Sequence, residues 1–179
     1  MKITAMSDLH LEFERGPNAG AEWSAFVQRR ADALHHPRIG PMIDNVIGAD
    51  LVIMAGDIDV GARGLDYADE VAQYVGAPVV YVLGNHEGYD GTPFDRLYDK
   101  IRTKAEATGG RVIFLENQAT VFECEGDRVH VLGATLWTDY AANGRENVKF
   151  AMREANSSLN DHIRCRLRGS KFGPSAARG

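Results

Sequence analysis

Three short polar segments, each directly after an apolar run, carry residues that can bind metal ions. They are Ser7-Asp8-Leu9-His10, Gly56-Asp57-Ile58-Asp59 and Gly84-Asn85-His86-Glu87. Taken singly, each segment can be an ordinary turn or helix cap. In an open α/β sheet, however, ligands bind outside the carboxyl ends of the strands, so three such segments would converge on one crevice. We therefore interpret them together as one functional site.

The residue types in these segments suit a pair of divalent cations. Asp8 and His10 are two residues apart, so in an extended chain they project to the same side and can hold one ion. Asp57 follows Gly56, which permits a tight turn, and its two carboxylate oxygens can bridge two ions. Asn85 offers an amide oxygen to the second ion. The sequence thus predicts Asp8, His10, Asp57 and Asn85 as metal ligands.

Two ions about 3.5–4 Å apart would determine which reaction this site can catalyse. It would clamp a phosphoryl oxygen and convert a bridging water into the hydroxide that attacks in line. His86 need not be a ligand, and its imidazole is the candidate that protonates the leaving alkoxide. Asp59 is a candidate to position His86 or a metal-bound water, although a turn residue is the simpler interpretation. The predicted reaction is hydrolysis of a phosphoester, with His86 as the catalytic residue.

Composition and charge exclude several classes of protein. The 179 residues include 20 Lys+Arg and 25 Asp+Glu, a formal net charge of −5, so the chain lacks the positive surface of a general nucleic-acid binder. Nucleic acid is therefore expected only as a substrate. Cys124 and Cys165 form no redox or metal motif and are expected to be reduced structural thiols. The absence of a signal-peptide core and of an apolar run of about 18 residues predicts a cytoplasmic protein that does not enter a membrane.

The elements that must position the three segments alternate between strands and helices, as in βαβ units. Continuous apolar runs predict strands buried on both faces, and apolar stripes at helical spacing predict the helices between them. The predicted strands are 3–6, 51–55, 79–83 and 112–115, with a hairpin of 120–124 and 129–132. The predicted helices are 23–34, 65–75, 94–105 and 148–167, and residues 169–179 are expected to form a disordered tail.

The three segments also carry a family resemblance. In order and spacing, Asp8-x-His10, Gly56-Asp57 and Gly84-Asn85-His86-Glu87 resemble the first three signature blocks of the calcineurin-like metallophosphoesterases. The resemblance covers about residues 1–90, and the later segment 133–137 also looks like members of that family. No Gly-x-Gly-x-x-Gly or P-loop motif follows the first strand, which disfavours a nucleotide-binding module without metals.

The resemblance implies an α/β fold, a four-layer α/β/β/α sandwich with the metals at strand ends. It implies two divalent metal ions, with Mn, Fe or Zn as candidates. Asp8, His10 and Asp57 would hold the first ion, and Asp57 and Asn85 would hold the second. His86 would be the catalytic histidine that contacts the substrate phosphate. The motifs do not encode the identity of the phosphomonoester or phosphodiester substrate, nor the oligomeric state.

The sequence also departs from the family pattern, which continues with a further histidine and a Gly-His-x-His block. The remaining histidines here, His35, His36, His130 and His162, stand in no such context and are expected to be structural. Four ligand residues are then left for two ions, so the second site is expected to be weak. We expect a single domain over 1–179 that is C-terminally incomplete for this family. The alternative to an active hydrolase is a truncated or degenerate member that binds metal weakly and is not catalytic.

Overall fold

The computed structural model describes residues 1–13 and 45–178, and its central element is a four-stranded parallel sheet. The strands lie in chain order across the sheet: β1 (Ile3–Met6), β2 (Leu51–Ala55), β3 (Val79–Val82) and β4 (Val112–Phe114). The four strands predicted from apolar runs are therefore confirmed. The predicted helix over 23–34 and the pair His35-His36 lie outside the described residues.

Two amphipathic helices cover one face of this sheet. They are α1 (Arg63–Val75) and α2 (Phe94–Ala107), and both agree with the predicted stripes. Alternate strand residues point into the core that these helices close: Val52, Met54, Val79, Tyr81, Val112 and Phe114. Within the described ranges, no helix is both long and apolar enough to cross a lipid bilayer.

A β-hairpin lies against the opposite face of the sheet. It consists of β5 (Gln118–Cys124) and β6 (Asp127–Gly133), which pair antiparallel around the predicted turn. Phe122 and Val131 of the hairpin pack against a second apolar cluster built on Leu51, Val80 and Leu115. The alternation of the strand residues between the two clusters explains why these strands are apolar throughout. The predicted mixed α/β class with a parallel sheet is confirmed.

The last predicted helix, 148–167, is wrong in its extent. The structure has α3 (Val148–Ser158) and a short α4 (Asn160–Arg164), separated by Leu159 in an extended conformation. The hydroxyl of Ser157 contacts the carbonyl oxygens of Arg153 and Glu154, a local bond that competes with helix propagation. The apolar spacing continued through the break, so periodicity alone missed it.

The segment after 168, expected as a disordered tail, contains regular structure up to residue 178. Its strand β8 (Ser170–Lys171) pairs antiparallel with the preceding strand β7 (Arg166–Leu167), and α5 (Pro174–Arg178) follows. Phe172 is buried and its ring lies 4.4 Å from that of Trp137. Elements of two to five residues are too short to produce a periodic signal, which is why the sequence pattern gave no indication of them.

The buried thiol of Cys165 provides a test of this C-terminal packing. Burial raises the pKa of Cys165 to about 12, and the thiolate is the reactive form. In a Cys124→Ser protein at pH 8, we expect an aromatic disulfide reagent to label Cys165 only after urea unfolding. The Cys165→Ser protein, which retains the half-buried Cys124, is the matched comparison. Rapid labelling of native Cys165 would contradict this packing.

Candidate metal centre

Hydrogen bonds from main-chain amides bring the three predicted segments together at the carboxyl ends of β1, β2 and β3. The amide of Asp8 donates to the carbonyl oxygen of Gly56 at 3.1 Å, and the amide of His10 donates to that of Asp57 at 3.0 Å. The amide of His86 donates to Asp57 Oδ1 at 2.9 Å. The convergence that the sequence predicts is thus present in the fold.

Three side chains at this meeting point form a donor set suited to a divalent cation. One ligand atom each from His10, Asp57 and His86 lies within 4.8 Å of the others. Imidazole nitrogen and carboxylate oxygen are ligands that Zn, Fe and Mn accept. Asp8 lies beside this set, with Oδ1 3.9 Å from His10 Nε2, and its carboxylate is 68% exposed. These residues fit a metal centre that is open to solvent.

The backbone at the proposed ligands is strained. Asp8, His10 and Asp57 have φ angles of 56°, 49° and 54°, in the left-handed region that residues other than glycine rarely adopt. Such conformations persist only where the surrounding structure holds them, and they concentrate at functional sites. Here the interstrand hydrogen bonds of the same residues hold them. The strain is therefore tied to the placement of the side chains.

Two glycines allow the loops after β2 and β3 to touch. A Cβ on Gly56 would lie 2.6 Å from the amide nitrogen of Gly84, and a Cβ on Gly84 would collide with Asp57 Oδ1. Neither position therefore tolerates even alanine without movement of the backbone or of the Asp57 carboxylate. Glycine before Asp57 and before Asn85 is thus a packing requirement of the site, beyond the tight turn predicted from the sequence.

The buried carboxylate of Glu87 ties these loops together. Its Oε1 accepts from the amide of Ile58 at 3.0 Å and from the hydroxyl of Tyr81 at 3.1 Å. Its Oε2 accepts from the amides of Asp57 at 3.1 Å and Gly84 at 2.8 Å. Burial raises the pKa of Glu87, and the amide donors oppose that rise. The structure thus makes Glu87 the common acceptor of both loops.

Glu12 is a site residue that sequence analysis missed. Its Oε1 lies 3.2 Å from His10 Nδ1 and 2.7 Å from His86 Nδ1. A carboxylate only accepts, so both rings carry their proton on Nδ1. Their Nε2 atoms are then available to bind a metal ion or a substrate. The signal in the sequence was the acid two residues after His10, which continues the spacing of Asp8 and His10.

Asp59, the predicted candidate for positioning His86, lies in the interior with no solvent exposure. Its Oδ1 accepts from the amide of Val60 at 2.6 Å. The carboxylate for which the structure gives a hydrogen bond to the His86 ring is Glu12, from 74 residues away in the chain. A positioning role for Asp59 stays a prediction.

Asn85, the proposed ligand of the second ion, is fixed by residues that the sequence did not suggest. Its amide nitrogen lies 2.6 Å from Asp161 Oδ1 and 3.1 Å from the hydroxyl oxygen of Tyr89. Asp161 belongs to α4, 76 residues further along the chain. No motif spacing connects such distant positions, so only the fold reveals the contact.

A cavity of about 1000 Å³ opens beside Asn85, between the ends of β2 and β3 and the segment 134–138. Trp137 lines this cavity, and its ring also packs against Phe94, with centroids 5.6 Å apart. Leu136, 89% exposed, stands on the rim. The cavity gives the metal centre an adjoining apolar wall.

The two described histidines outside the centre, both predicted to be structural, are His162 and His130. His162 is buried, with Nδ1 donating to the carbonyl oxygen of Phe172 and Nε2 accepting from the hydroxyl of Tyr140, both at 2.7 Å. A carbonyl oxygen cannot donate, which fixes this tautomer. His130 lies exposed in β6, away from the centre. Neither adds a ligand to the set above.

The family model for calcineurin-like phosphoesterases matches residues 1–178, and the chain belongs to that family. The family assignment agrees with the fold and with the position of the donor set at the strand ends. A search of curated proteins found no match.

Solved structures with a similar fold include phosphopantetheinyl hydrolase (PptH) from Mycobacterium tuberculosis, with a TM-score of 0.55 and 20% sequence identity. The similarity covers 94% of this chain and 55% of PptH, so this chain spans about half the length of that protein. A protein of unknown function, AQ665 from Aquifex aeolicus, matches with a TM-score of 0.32 and 13% identity over 88% of this chain and 73% of that one. The PptH likeness supports the fold.

The role of Glu87 can be tested by Glu87→Gln. Glutamine keeps one acceptor oxygen and turns an NH₂ group toward backbone N–H donors, so we expect a loss of about 1–3 kcal/mol in the free energy of unfolding, measured in urea. Tyr81→Phe removes one donor and leaves the amide bonds, so it should cost about 0.5–1.5 kcal/mol. Equal stability of the Glu87→Gln protein and the unmodified protein would show that Glu87 does not join the two loops.

Proposed function

We propose that this chain hydrolyses a phosphoester with the help of two divalent cations. The observation that carries the proposal is the meeting of His10, Asp57 and His86 at the ends of three parallel strands in a member of the calcineurin-like phosphoesterase family. His10 and Asp57 are proposed ligands, and His86 is the proposed catalytic residue. Backbone strain at two of these residues supports a functional rather than a structural purpose.

The two cations would have separate ligands, except for one residue that binds both. Asp8, His10 and Asp57 would hold the first cation, and Asp57 with Asn85 would hold the second. Asp57 can serve both because a carboxylate has two oxygens, and its Oδ1 is oriented by the amide of His86. When bound, the cations would neutralise charge on the phosphoryl oxygens and supply hydroxide as the nucleophile at neutral pH.

His86 is the proposed catalytic residue. Glu12 accepts the proton on Nδ1, so Nε2 is the ring atom that can hold a proton for the leaving alkoxide or contact the phosphate. The ring stacks on Tyr89, with centroids 4.2 Å apart and planes 28° apart, which fixes its plane. Both contacts limit the ring to one orientation, as a proton donor to a bound ester requires.

Several finer features stay predictions. A phosphodiester is the substrate class we would test first, with manganese as the metal, and a cytoplasmic location is expected from the sequence. Asp59 stays a candidate for positioning a metal-bound water. The second cation is expected to bind more weakly than the first, because Asn85 is its one proposed ligand besides the shared Asp57.

Asp57→Ala tests the centre directly. Because Asp57 is proposed to bind both cations, the variant should lose more than about 100-fold of the manganese-dependent turnover of a chromogenic phosphodiester. The metal content of the dialysed protein, measured by mass spectrometry, should fall together with the turnover. It should also fall in the Asp8→Ala protein. Asp99→Ala, on the exposed side of α2, is the matched control. Unchanged turnover in Asp57→Ala would refute the proposal.

The second candidate function is weak metal binding without catalysis. It is favoured by the small number of proposed ligands, since the second cation would have only Asn85 besides the shared Asp57. Titration of the unmodified protein with manganese separates the two functions. Binding of one ion, with no turnover of phosphomonoester or phosphodiester substrates, would support the second candidate and exclude the first for this chain.

Glu12→Ala tests the arrangement of the two histidines. We expect the metal-free protein at pH 8 to show both His10 and His86 protonated on Nδ1 in long-range ¹H–¹⁵N spectra, and the variant to lose this for at least one ring. Metal affinity or turnover should fall about 10–100-fold, as for other residues that orient a ligand histidine. Glu12→Gln keeps an acceptor oxygen, so it should retain more metal affinity and turnover than Glu12→Ala. Identical spectra for the two proteins would show that Glu12 does not set the tautomers.

A further inference from the structure

The side-chain amide nitrogen of Asn85 lies against two hydrogen-bond acceptors. It lies 2.6 Å from Asp161 Oδ1 and 3.1 Å from the hydroxyl oxygen of Tyr89. That hydroxyl in turn lies 2.5 Å from the same Asp161 oxygen. Since a carboxylate only accepts, Tyr89 donates to Asp161 and its oxygen accepts from Asn85. The three groups form a closed triangle of hydrogen bonds.

This triangle decides which atom of Asn85 can bind a cation. The NH₂ end of an amide group only donates, and here it faces the two acceptor oxygens of Asp161 and Tyr89. The opposite orientation would place the carboxamide oxygen against the Asp161 carboxylate, two acceptors with no hydrogen between them. Among the described residues, the structure gives this oxygen no hydrogen bond, and it is the atom that a hard cation prefers.

The triangle is held in place from both sides. Tyr89 stacks on His86 and lies under the guanidinium of Arg164, which is 5.4 Å from the ring centroid. The thiol of Cys165 reaches the carbonyl oxygen of Asn85 at 3.7 Å. Two residues near Asp161 in the chain thus fix the same turn.

We propose that Asp161 and Tyr89 are positioning residues for the second cation: they hold the amide nitrogen of Asn85 and so present its oxygen as a ligand. The inference rests on the proposed function in one respect, the assignment of Asn85 as a ligand. It adds that the affinity of the second site depends on α4, a part of the chain outside the motifs at the strand ends.

Calorimetric titration of metal-free protein with manganese tests this at each site separately. Asp161→Ala should weaken the second binding step about 10–100-fold and leave the first unchanged. Tyr89→Phe removes one of the two acceptors and should weaken it by about threefold to tenfold. Asp161→Asn keeps an acceptor oxygen without the charge, so its affinity in the second binding step should be higher than that of Asp161→Ala. If Asp161 acted by negative charge alone, the two Asp161 variants would be equally weakened, which would overturn the positioning role.

Side-chain amide signals of Asn85 provide a readout that needs no metal. In the metal-free unmodified protein we expect the two hydrogens to exchange slowly with water, and in Asp161→Ala to exchange at least about tenfold faster. Glu154→Gln, on exposed α3, removes one negative charge elsewhere and should change neither measurement. Thermal unfolding followed by circular dichroism identifies any variant that does not fold.

The two proposals fail in different ways. If the unmodified protein binds two manganese ions and Asp161→Ala binds both with unchanged affinity, the positioning role is wrong while the metal centre stands. If slow amide exchange is absent from the unmodified protein, the triangle does not form in solution and the inference is likewise wrong. If the unmodified protein binds no manganese although the amide exchanges slowly, the failure is that of the proposed function.

Discussion

The carboxylate of Glu87 is the interaction on which the arrangement of the centre depends. It accepts from amides of the loop after β2 and from the amide that begins the loop after β3, so it sets the distance between them. A buried charge is costly unless it is fully hydrogen-bonded, and here four donors surround it. The segment after β1 then attaches to the loop after β2 through main-chain bonds. Removing this acceptor would leave several buried donors unpaired at once.

The same close approach explains both the glycines and the strained residues. With Gly56 and Gly84 in contact, the chain leaves no room for a Cβ, and Asp57 must turn into the left-handed region to direct its carboxylate across the gap. Strain at Asp57 is sustained because its amide, its carbonyl group and Oδ1 are each hydrogen-bonded. A relaxed backbone at this point would move the carboxylate away from His10 and His86. The positions of the side chains at the centre therefore depend on several hydrogen bonds together.

Sequence patterns predicted the sheet and the meeting of the three segments, because both follow from local apolar runs and from the rule that strand ends converge. They did not predict Glu12, since the short 3₁₀ turn of Leu11–Phe13 that folds it back over His10 has no periodic signal. Asp161 was beyond reach for a different reason: its contact with Asn85 joins positions 76 residues apart. The helix break at Leu159 was hidden because the apolar spacing continues across it.

The two halves of the proposed centre are thus held by different means. Asp8, His10 and Asp57 are fixed mainly by main-chain bonds between neighbouring strand ends, which form whenever the sheet forms. Asn85 is oriented by side chains of Tyr89 and Asp161, and the second of these comes from a five-residue helix near the end of the described chain. Local opening of a short, largely exposed helix costs less free energy than opening of a buried strand. Fluctuation in α4 would therefore disturb the proposed second ligand set and leave the proposed first set intact, so the proposed second site depends on the C-terminal packing.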